Sequence, residues 1–254
     1  MGSGVARRVS RVCCAVAIAA SILPAGCGGV LRNEYEYEED LYLALDGSAT
    51  VYVHASLPAL VALRGADFDV DPRARLDRDG VRALFARPGA PPSTVTTSRR
   101  NGRRFVHVRI DVEDVRELST IAPLSWSRYQ FERAGSRFQF HQVVGAPAGR
   151  RIGEVGWTGA ELVAFRVHVP SVIPFHNAPD GIERGNILKW EQPLAERLKG
   201  VPLDLQAHME SDSILFRTLL LFVSTILAAA GAFALTIWWI ARRGRRSEVA
   251  ESRP

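Results

Sequence analysis

The sequence predicts an α+β fold with a mainly antiparallel sheet and two or three short helices, followed by one C-terminal transmembrane helix. Strand-like stretches recur in pairs around short glycine-containing turns, and single helix-like stretches stand between these pairs. Near the C-terminus, 24 consecutive residues carry no charge. A run of that length exceeds what is needed to cross a bilayer as a helix.

Three hairpins account for most of the expected strands. Asp-Gly and Asn-Gly pairs suit the positive φ angles of two-residue hairpin turns. The hairpins are predicted around Asp46-Gly47, around Asn101-Gly102 between Thr94–Ser98 and Phe105–Ile110, and around Ala134-Gly135-Ser136 between Ser127–Phe131 and Phe138–Val143. Further strands are expected at Glu161–Val169, Ile187–Trp190 and Leu203–Met209. The glycine-rich stretch Gly145–Gly159 is expected to be a long loop.

Helices are expected where a capping side chain precedes an apolar stretch. Ser56 suits the N-cap of a short helix that begins at Leu57-Pro58 and ends at Gly65. A second helix is predicted from about Asp79 to Ala86. A third is predicted from Val112 to about Ile121 with Asp111 as its cap, because acidic residues in a first turn are favoured by the helix dipole.

Charge is distributed unevenly along the chain. Its formal net charge is +5, yet residues 28–213 hold 23 basic and 25 acidic residues. The excess of arginine therefore belongs to the two ends. A nucleic-acid-binding domain would carry a basic excess on its folded part, so no nucleic-acid partner is expected. The middle region has no cysteine and must be stabilised by its own core.

The N-terminal residues 1–27 are predicted to be an export signal. Arg7, Arg8 and Arg11 precede an apolar run from Val12 to Leu23, which is too short to span a bilayer and suits a signal-peptide core. Ala25 and Gly26 before Cys27 resemble a bacterial lipobox, in which the cysteine is lipidated. Leu23 stands four positions before the cysteine rather than three, and the alternative is ordinary cleavage nearby.

Residues 214–241 are predicted to form a single membrane-spanning helix, with residues 242–254 as a basic cytoplasmic tail. Arginines that follow the span place that side in the cytoplasm, and indole rings favour the membrane interface. The residues expected at the two interfaces are Arg217, Trp238, Trp239, Arg242, Arg243, Arg245 and Arg246. The export signal and the span together predict a cell-membrane protein whose α+β domain, residues 28–212, is extracytoplasmic.

Motifs for catalysis, metal binding or a cofactor are not found in the sequence. No pair of histidines has the i, i+4 spacing of a helical zinc site, and there is neither a nucleophile elbow nor a phosphate-binding glycine loop. His107 and His168 are expected to point away from the core. The adjacent carboxylates Glu38-Glu39-Asp40 are expected to face solvent. The protein is therefore expected to be non-catalytic and to lack both a metal and a cofactor.

Four arginines flank the second hairpin turn: Arg99, Arg100, Arg103 and Arg104. Guanidinium groups bind phosphate with two hydrogen bonds, so this tip is a candidate contact for an anionic partner or for lipid headgroups. The alternative is a solvated, charged turn that protects a sheet edge from aggregation.

The stretch before the membrane span resembles the LppM-like family of bacterial envelope lipoproteins. Its distinctive parts are Phe165–Pro170, a strand that ends in proline, then Ile173–Ala178, and then Gly185–Trp190, a glycine-asparagine turn leading into a tryptophan strand. The resemblance implies an α+β ectodomain with a C-terminal anchor, and a cavity or sheet surface that binds lipid or glycolipid. It supplies no catalytic residues.

Three functions from different classes remain open at this stage. A binding module for lipid, glycolipid or another envelope component predicts an apolar cavity or groove. A structural or assembly protein predicts a stable protein partner. An enzyme predicts a buried polar cluster with perturbed pKa values in a cleft. The missing motifs and the resemblance favour the binding module, with membrane lipids as its expected neighbours.

Overall fold

The computed structural model describes residues 34–87, 90–212 and 214–251, and it shows an α+β fold with two β-sheets. Three short helices accompany the sheets: α1 (Leu57–Arg64), α2 (Arg78–Leu84) and α3 (Leu194–Leu198). A long helix, α4 (Ile214–Glu251), follows them. The predicted fold class is therefore confirmed.

The larger sheet has seven strands in the order β3-β4-β2-β1-β7-β10-β9. In chain order these are β1 (Tyr35–Leu43), β2 (Ala49–Ser56), β3 (Thr94–Arg100), β4 (Arg103–Val112), β7 (Leu162–His168), β9 (Ile182–Glu183) and β10 (Ile187–Pro193). Neighbouring strands are antiparallel except β1 and β7, which pair in parallel. A parallel pair needs a long crossover, and the 118 residues between Leu43 and Leu162 supply it.

The smaller sheet has four antiparallel strands in the order β5-β6-β11-β8. They are β5 (Ser127–Ala134), β6 (Arg137–Val144), β8 (Phe175–His176) and β11 (Leu203–Glu210). Alternate side chains of both sheets point into one apolar core. Val53, Val108 and Phe165 come from the larger sheet, whereas Phe140 and Leu205 come from the smaller one.

Helix α1 begins and ends where the sequence predicts. The Ser56 hydroxyl accepts a hydrogen bond from the amide of Ala59, and Pro58 lies in the first turn. Gly65 adopts a left-handed φ of 69° at the C-terminal end, a conformation in which a glycine has no steric penalty. Seven of its eight residues are buried, and Leu57, Ala59, Leu60 and Leu63 belong to the apolar core.

The third predicted helix is wrong in its start, its cap and its type. Strand β4 continues through Val112, whose side chain keeps the inward alternation of the strand. The carboxylate of Asp111 instead accepts hydrogen bonds from Thr50 (2.7 Å) and Ser93 (2.6 Å). A 3-10 helix over Val115–Thr120 follows, and Asp114 is its cap. Pairing with β2 therefore prevails over the local capping signal at Asp111.

Glu39 also departs from the expectation that the carboxylates of β1 face solvent. It lies on the core side of the strand and is buried. One carboxylate oxygen accepts hydrogen bonds from Tyr37 Oη (2.6 Å) and Trp126 Nε1 (3.3 Å). The other accepts from Tyr129 Oη (2.9 Å) and Gln142 Nε2 (3.3 Å). The carboxylate therefore joins the two sheets through hydrogen bonds at the centre of the core.

Helix α4 contains the predicted apolar span. Residues Thr218–Ile240 are long and apolar enough to cross a membrane, and the described part of this window is not buried by the rest of the protein. The helix extends beyond residue 241 to Glu251, so the basic tail begins in helical conformation. The predicted export signal, residues 1–27 with Cys27, lies outside the described residues.

Candidate functional site

A cleft rich in arginine lies beside the β3–β4 hairpin. It encloses about 960 Å³ between the segment 73–82 and one edge of the larger sheet. The basic residues that line it are Arg73, Arg75, Arg78, Arg82, Arg99 and Arg104. Its acidic lining residues are Asp77 and Asp79. The lining therefore carries a clear positive excess, although the domain as a whole is close to neutral.

Helix α2 presents two of these arginines because its opposite face is fixed in the core. Val81 and Phe85 are buried, and the spacing of four residues places them on one side of the helix. Arg78 and Arg82 have the same spacing on the exposed side. The Asp77 carboxylate accepts hydrogen bonds from the amides of Asp79 and Gly80 and so caps the helix.

Arg104 forms the floor of the cleft and connects its two walls. Its side chain is buried although it belongs to the hairpin. It donates one hydrogen bond to the carbonyl of Ala74 (2.7 Å) and another to the carbonyl of Asp69. These bonds attach the segment 69–74 to strand β4, and they position the loop that carries Arg73 and Arg75.

Both acidic side chains of the cleft are already engaged. Asp77 caps helix α2, and Asp79 forms an ion pair with Arg82 (2.8 Å). Among the residues that the structure describes, no ion pair joins Arg73, Arg75 or Arg99 to a carboxylate. Guanidinium groups left without carboxylates are suited to bind phosphate or carboxylate groups of a ligand.

A smaller recess of about 470 Å³ adjoins the cleft. Arg75, Leu76, Asp77 and Arg104 line both spaces, so the two are direct neighbours. Phe68 and Leu84 make the recess more apolar than the cleft. The site therefore combines a basic space with a partly apolar one beside it.

The hairpin turn forms as predicted, but its four arginines do not form one exposed cluster. Asn101 and Gly102 both have positive φ angles, 48° and 72°. Of the four arginines, Arg99 is exposed and lines the cleft, and Arg104 is its floor. Arg100 donates to the carbonyl of Tyr35 and stacks on the Phe105 ring at 4.4 Å.

Arg103 is committed to contacts within the protein. Its buried guanidinium forms an ion pair with the buried carboxylate of Glu36 (2.9 Å) and donates to the carbonyl of Gly156 (2.9 Å). Glu34 completes the cluster at 3.4 Å. Arg103 therefore holds the hairpin against β1 and the glycine-rich loop, and is not available to a ligand.

Sequence reasoning missed the wall of the cleft that the segment 73–82 forms. Part of its signal was present, because Arg82 lies in the second predicted helix and Arg78 immediately precedes that helix with i, i+4 spacing. Nothing in the local sequence, however, indicates that this helix lies against the β3–β4 hairpin. Arg78 reaches the hairpin by donating a hydrogen bond to Thr97 Oγ1 (3.2 Å).

His107 and His168 point away from the core, as predicted, and His168 stacks on the exposed ring of Tyr42. His54 and His107 lie opposite each other on β2 and β4, with their Nδ1 atoms 2.8 Å apart. Burial lowers the pKa of His107, and the neighbouring His54 and Arg100 lower it further. Within the described part of the chain, no group of three or more His, Cys, Asp or Glu side chains is arranged to hold a metal ion.

The predicted membrane-interface residues all belong to helix α4. Trp238 and Trp239 are exposed, and the guanidinium carbon of Arg242 lies 5.0 Å from the centre of the Trp238 ring. Arg217, Arg243, Arg245 and Arg246 occupy helical backbone positions.

The described structure is thus an α+β domain with an arginine-lined cleft, followed by a helix of membrane-spanning length. No protein-family model matches the chain, and no curated protein matches it. A solved structure to which it is weakly similar is the NMR structure of the folded domain of LppM from Mycobacterium tuberculosis. The TM-score is 0.40 at 15% sequence identity, over 73% of this chain and 95% of that domain. Membership of the LppM-like family stays a prediction from the sequence motif.

Proposed function

We propose that this chain is a membrane-anchored envelope protein whose extracytoplasmic domain binds an anionic lipid, glycolipid or other envelope component in the arginine-lined cleft. The observation that carries the proposal is that Arg73, Arg75 and Arg99 line a cleft of about 960 Å³ and form no ion pair with a carboxylate in the described part of the chain. Phosphate and carboxylate are the groups that such side chains bind best.

Helix α4 supports the anchored topology. Its apolar segment Thr218–Ile240 is followed by Arg242 and three further arginines, and positive charge after a span favours the cytoplasmic side. The preceding α+β domain would then lie outside the membrane. The same orientation is expected from the predicted export signal.

Binding without chemical turnover is proposed. The partly apolar recess next to the cleft suits the uncharged portion of an amphipathic ligand, since Phe68, Leu76 and Leu84 line it. Native mass spectrometry of the gently purified full chain tests whether such a ligand copurifies. The expected result is a discrete mass adduct that disappears on organic extraction. The extracted ligand should be recovered chemically unchanged.

The cleft itself is tested by removing two of the unpaired guanidinium groups. The double variant Arg75→Ala/Arg99→Ala is expected to weaken binding of a short-chain phosphatidylglycerol by at least about a hundredfold, because it removes two charge-assisted hydrogen bonds of about 1.5–3 kcal/mol each. Isothermal titration calorimetry on the full chain, with phosphatidylcholine of equal chain length as the neutral comparison, measures this.

The matched control is Arg128→Ala/Arg137→Ala, which removes two exposed arginines from the smaller sheet. Equal binding by both double variants and the unchanged chain would show that the cleft is not the site. An affinity that does not fall with added salt would also count against it, since contacts between arginine and an anion are screened.

A further inference from the structure

Exposed apolar side chains of the α+β domain are concentrated in one segment of the chain. Outside helix α4, five large apolar side chains are exposed among the described residues, and three of them belong to the segment 169–186. They are Val172, Phe175 and Ile182, with 40%, 43% and 46% of their surface exposed. Single exposed apolar residues are ordinary on a protein surface, so it is the clustering that needs a cause.

Hydrogen bonds fix two of these residues beside the end of β11. The carbonyl of Val172 accepts a hydrogen bond from the amide of Glu210 (3.0 Å), the last residue of that strand. Phe175 pairs with His208 in the β8–β11 ladder, and the two rings lie 4.7 Å apart. These contacts place the apolar patch, defined by Val172, Phe175 and Ile182, beside the end of β11. They do so independently of how helix α4 is oriented.

The length of the connecting chain keeps the patch close to the membrane. Helix α4 begins at Ile214, and its apolar segment begins at Thr218. The residues between Glu210 and Ile214 reach at most about 14 Å when extended. The first helical turn up to Thr218 adds about 6 Å. When the apolar segment is in the hydrocarbon core, the end of β11 must therefore stay within about 20 Å of the hydrocarbon boundary.

We propose that Val172, Phe175 and Ile182 insert into the interfacial region of the bilayer that α4 crosses, so that the domain rests on the membrane at this end. This docking presupposes the membrane anchoring proposed above. The acidic side chains of Asp180 and Glu183 surround Lys189 at 3.8 and 3.2 Å, so the neighbourhood of the patch has no excess of positive charge. Burial of apolar area, and not attraction to anionic lipid, drives the contact.

The test places a photoreactive benzophenone amino acid at position 175 of the full chain in lipid nanodiscs. Position 201 is the matched control, because Val201 is equally exposed at 46% but precedes β11 at the opposite end of that strand. Irradiation is expected to produce several-fold more lipid adduct at position 175 than at position 201, detected by mass spectrometry. Because the contact is apolar, the excess should persist at high salt and on zwitterionic lipid.

Equal adduct at both positions, or none at position 175, overturns the docking. Circular dichroism of each labelled protein establishes that the fold is retained. Alkaline carbonate extraction separates this failure from failure of the anchoring. A chain that carbonate releases from membranes is not anchored, whereas a chain that stays in the membrane and yields no lipid adduct at position 175 is anchored but not docked.

Discussion

At the scale of single residues, Glu39 is a buried carboxylate that links side chains of the core by hydrogen bonds. Its carboxylate is fully buried and accepts four hydrogen bonds from side chains of both sheets. Burial raises its pKa, and the four donors oppose that rise. Burial also raises the pKa of Tyr37 and of Tyr129 well above the usual value, so both hydroxyls stay protonated donors. The cluster is therefore stable only as a complete set.

Replacing Glu39 by leucine should show this dependence. Glu39→Leu removes the acceptor and leaves buried donors on Tyr37, Trp126 and Tyr129 unpaired, so the free energy of unfolding is expected to fall by about 3–5 kcal/mol. Urea denaturation of the full chain in detergent measures it. Glu38→Leu, on the outer side of the same strand, is the matched control, and an equal loss there would contradict the special role of Glu39.

The pH dependence of stability provides a second prediction for Glu39. Its folded-state pKa lies above that of the unfolded chain, so the folded state binds more protons in the window just above the ordinary carboxyl pKa. The contribution of Glu39 to stability is therefore fully present below that window and is lost as the pH rises through the folded-state pKa. Glu39→Gln should remove this decline, which unfolding free energies measured between mildly acidic and neutral pH would reveal. Parallel pH profiles for both proteins would contradict it.

At the scale of elements, the β3–β4 hairpin is a rigid support for the cleft. Its arginines differ in role because each meets a different neighbour. Arg103 binds the carboxylate of Glu36, Arg100 lies on Phe105, and Arg104 binds the segment 69–74. Of the four arginines of this hairpin, only Arg99 is exposed to solvent and can contact a ligand. The hairpin therefore acts mainly by holding the opposite wall in place.

Arg104→Met tests whether that wall depends on the hairpin. Methionine fills similar space but cannot donate hydrogen bonds to the carbonyls of Ala74 and Asp69, so the segment 69–77 is expected to lose protection against hydrogen exchange. Ligand affinity in the cleft should fall with it. Arg99→Met is the control: it should lower affinity while leaving hydrogen exchange in the segment unchanged. Unchanged protection in Arg104→Met would show that the segment is held by other contacts.

At the scale of the whole molecule, the arginine-lined cleft and the apolar patch lie toward opposite ends of the larger sheet. Strands β1 and β7 run in parallel, with Tyr35 opposite Leu162 and Tyr42 opposite His168. Arg100 binds the carbonyl of Tyr35 at the first end. Along β7, the six residue steps from Leu162 to His168, at about 3.3 Å each, separate these two ends of the sheet by about 20 Å. A domain that rests on the membrane through Phe175 would hold the cleft away from that surface.

This arrangement predicts that, in nanodiscs of zwitterionic lipid alone, which offer the cleft no anionic ligand, a benzophenone at position 99 gives no more lipid adduct than one at position 201. The physical reason is distance, since the β3–β4 turn lies at the end of the larger sheet that is remote from Glu210, the last residue of β11. Lipid adducts at position 99 as abundant as those at position 175 would instead indicate that the cleft contacts headgroups of the same bilayer.

Local signals in the sequence were enough for several elements. Gly47, Gly102 and Gly135 mark the hairpin turns, and Ser56 and Gly65 mark the ends of α1. The apolar segment of α4 was likewise evident from its length without charge. Each of these signals depends on residues within a few positions of one another, so the short-range sequence contains the information.

Only the tertiary structure decided the rest. Local capping preference at Asp111 yielded to the pairing of β4 with β2, and the inward orientation of Glu39 followed from the sheet register. The cleft forms because the segment 73–82 lies beside Arg99 and Arg104. The apolar patch is held in place by the hydrogen bond between the amide of Glu210 and the carbonyl of Val172. Contacts between residues so far apart in the chain arise from packing and strand pairing, which no local pattern of residues specifies.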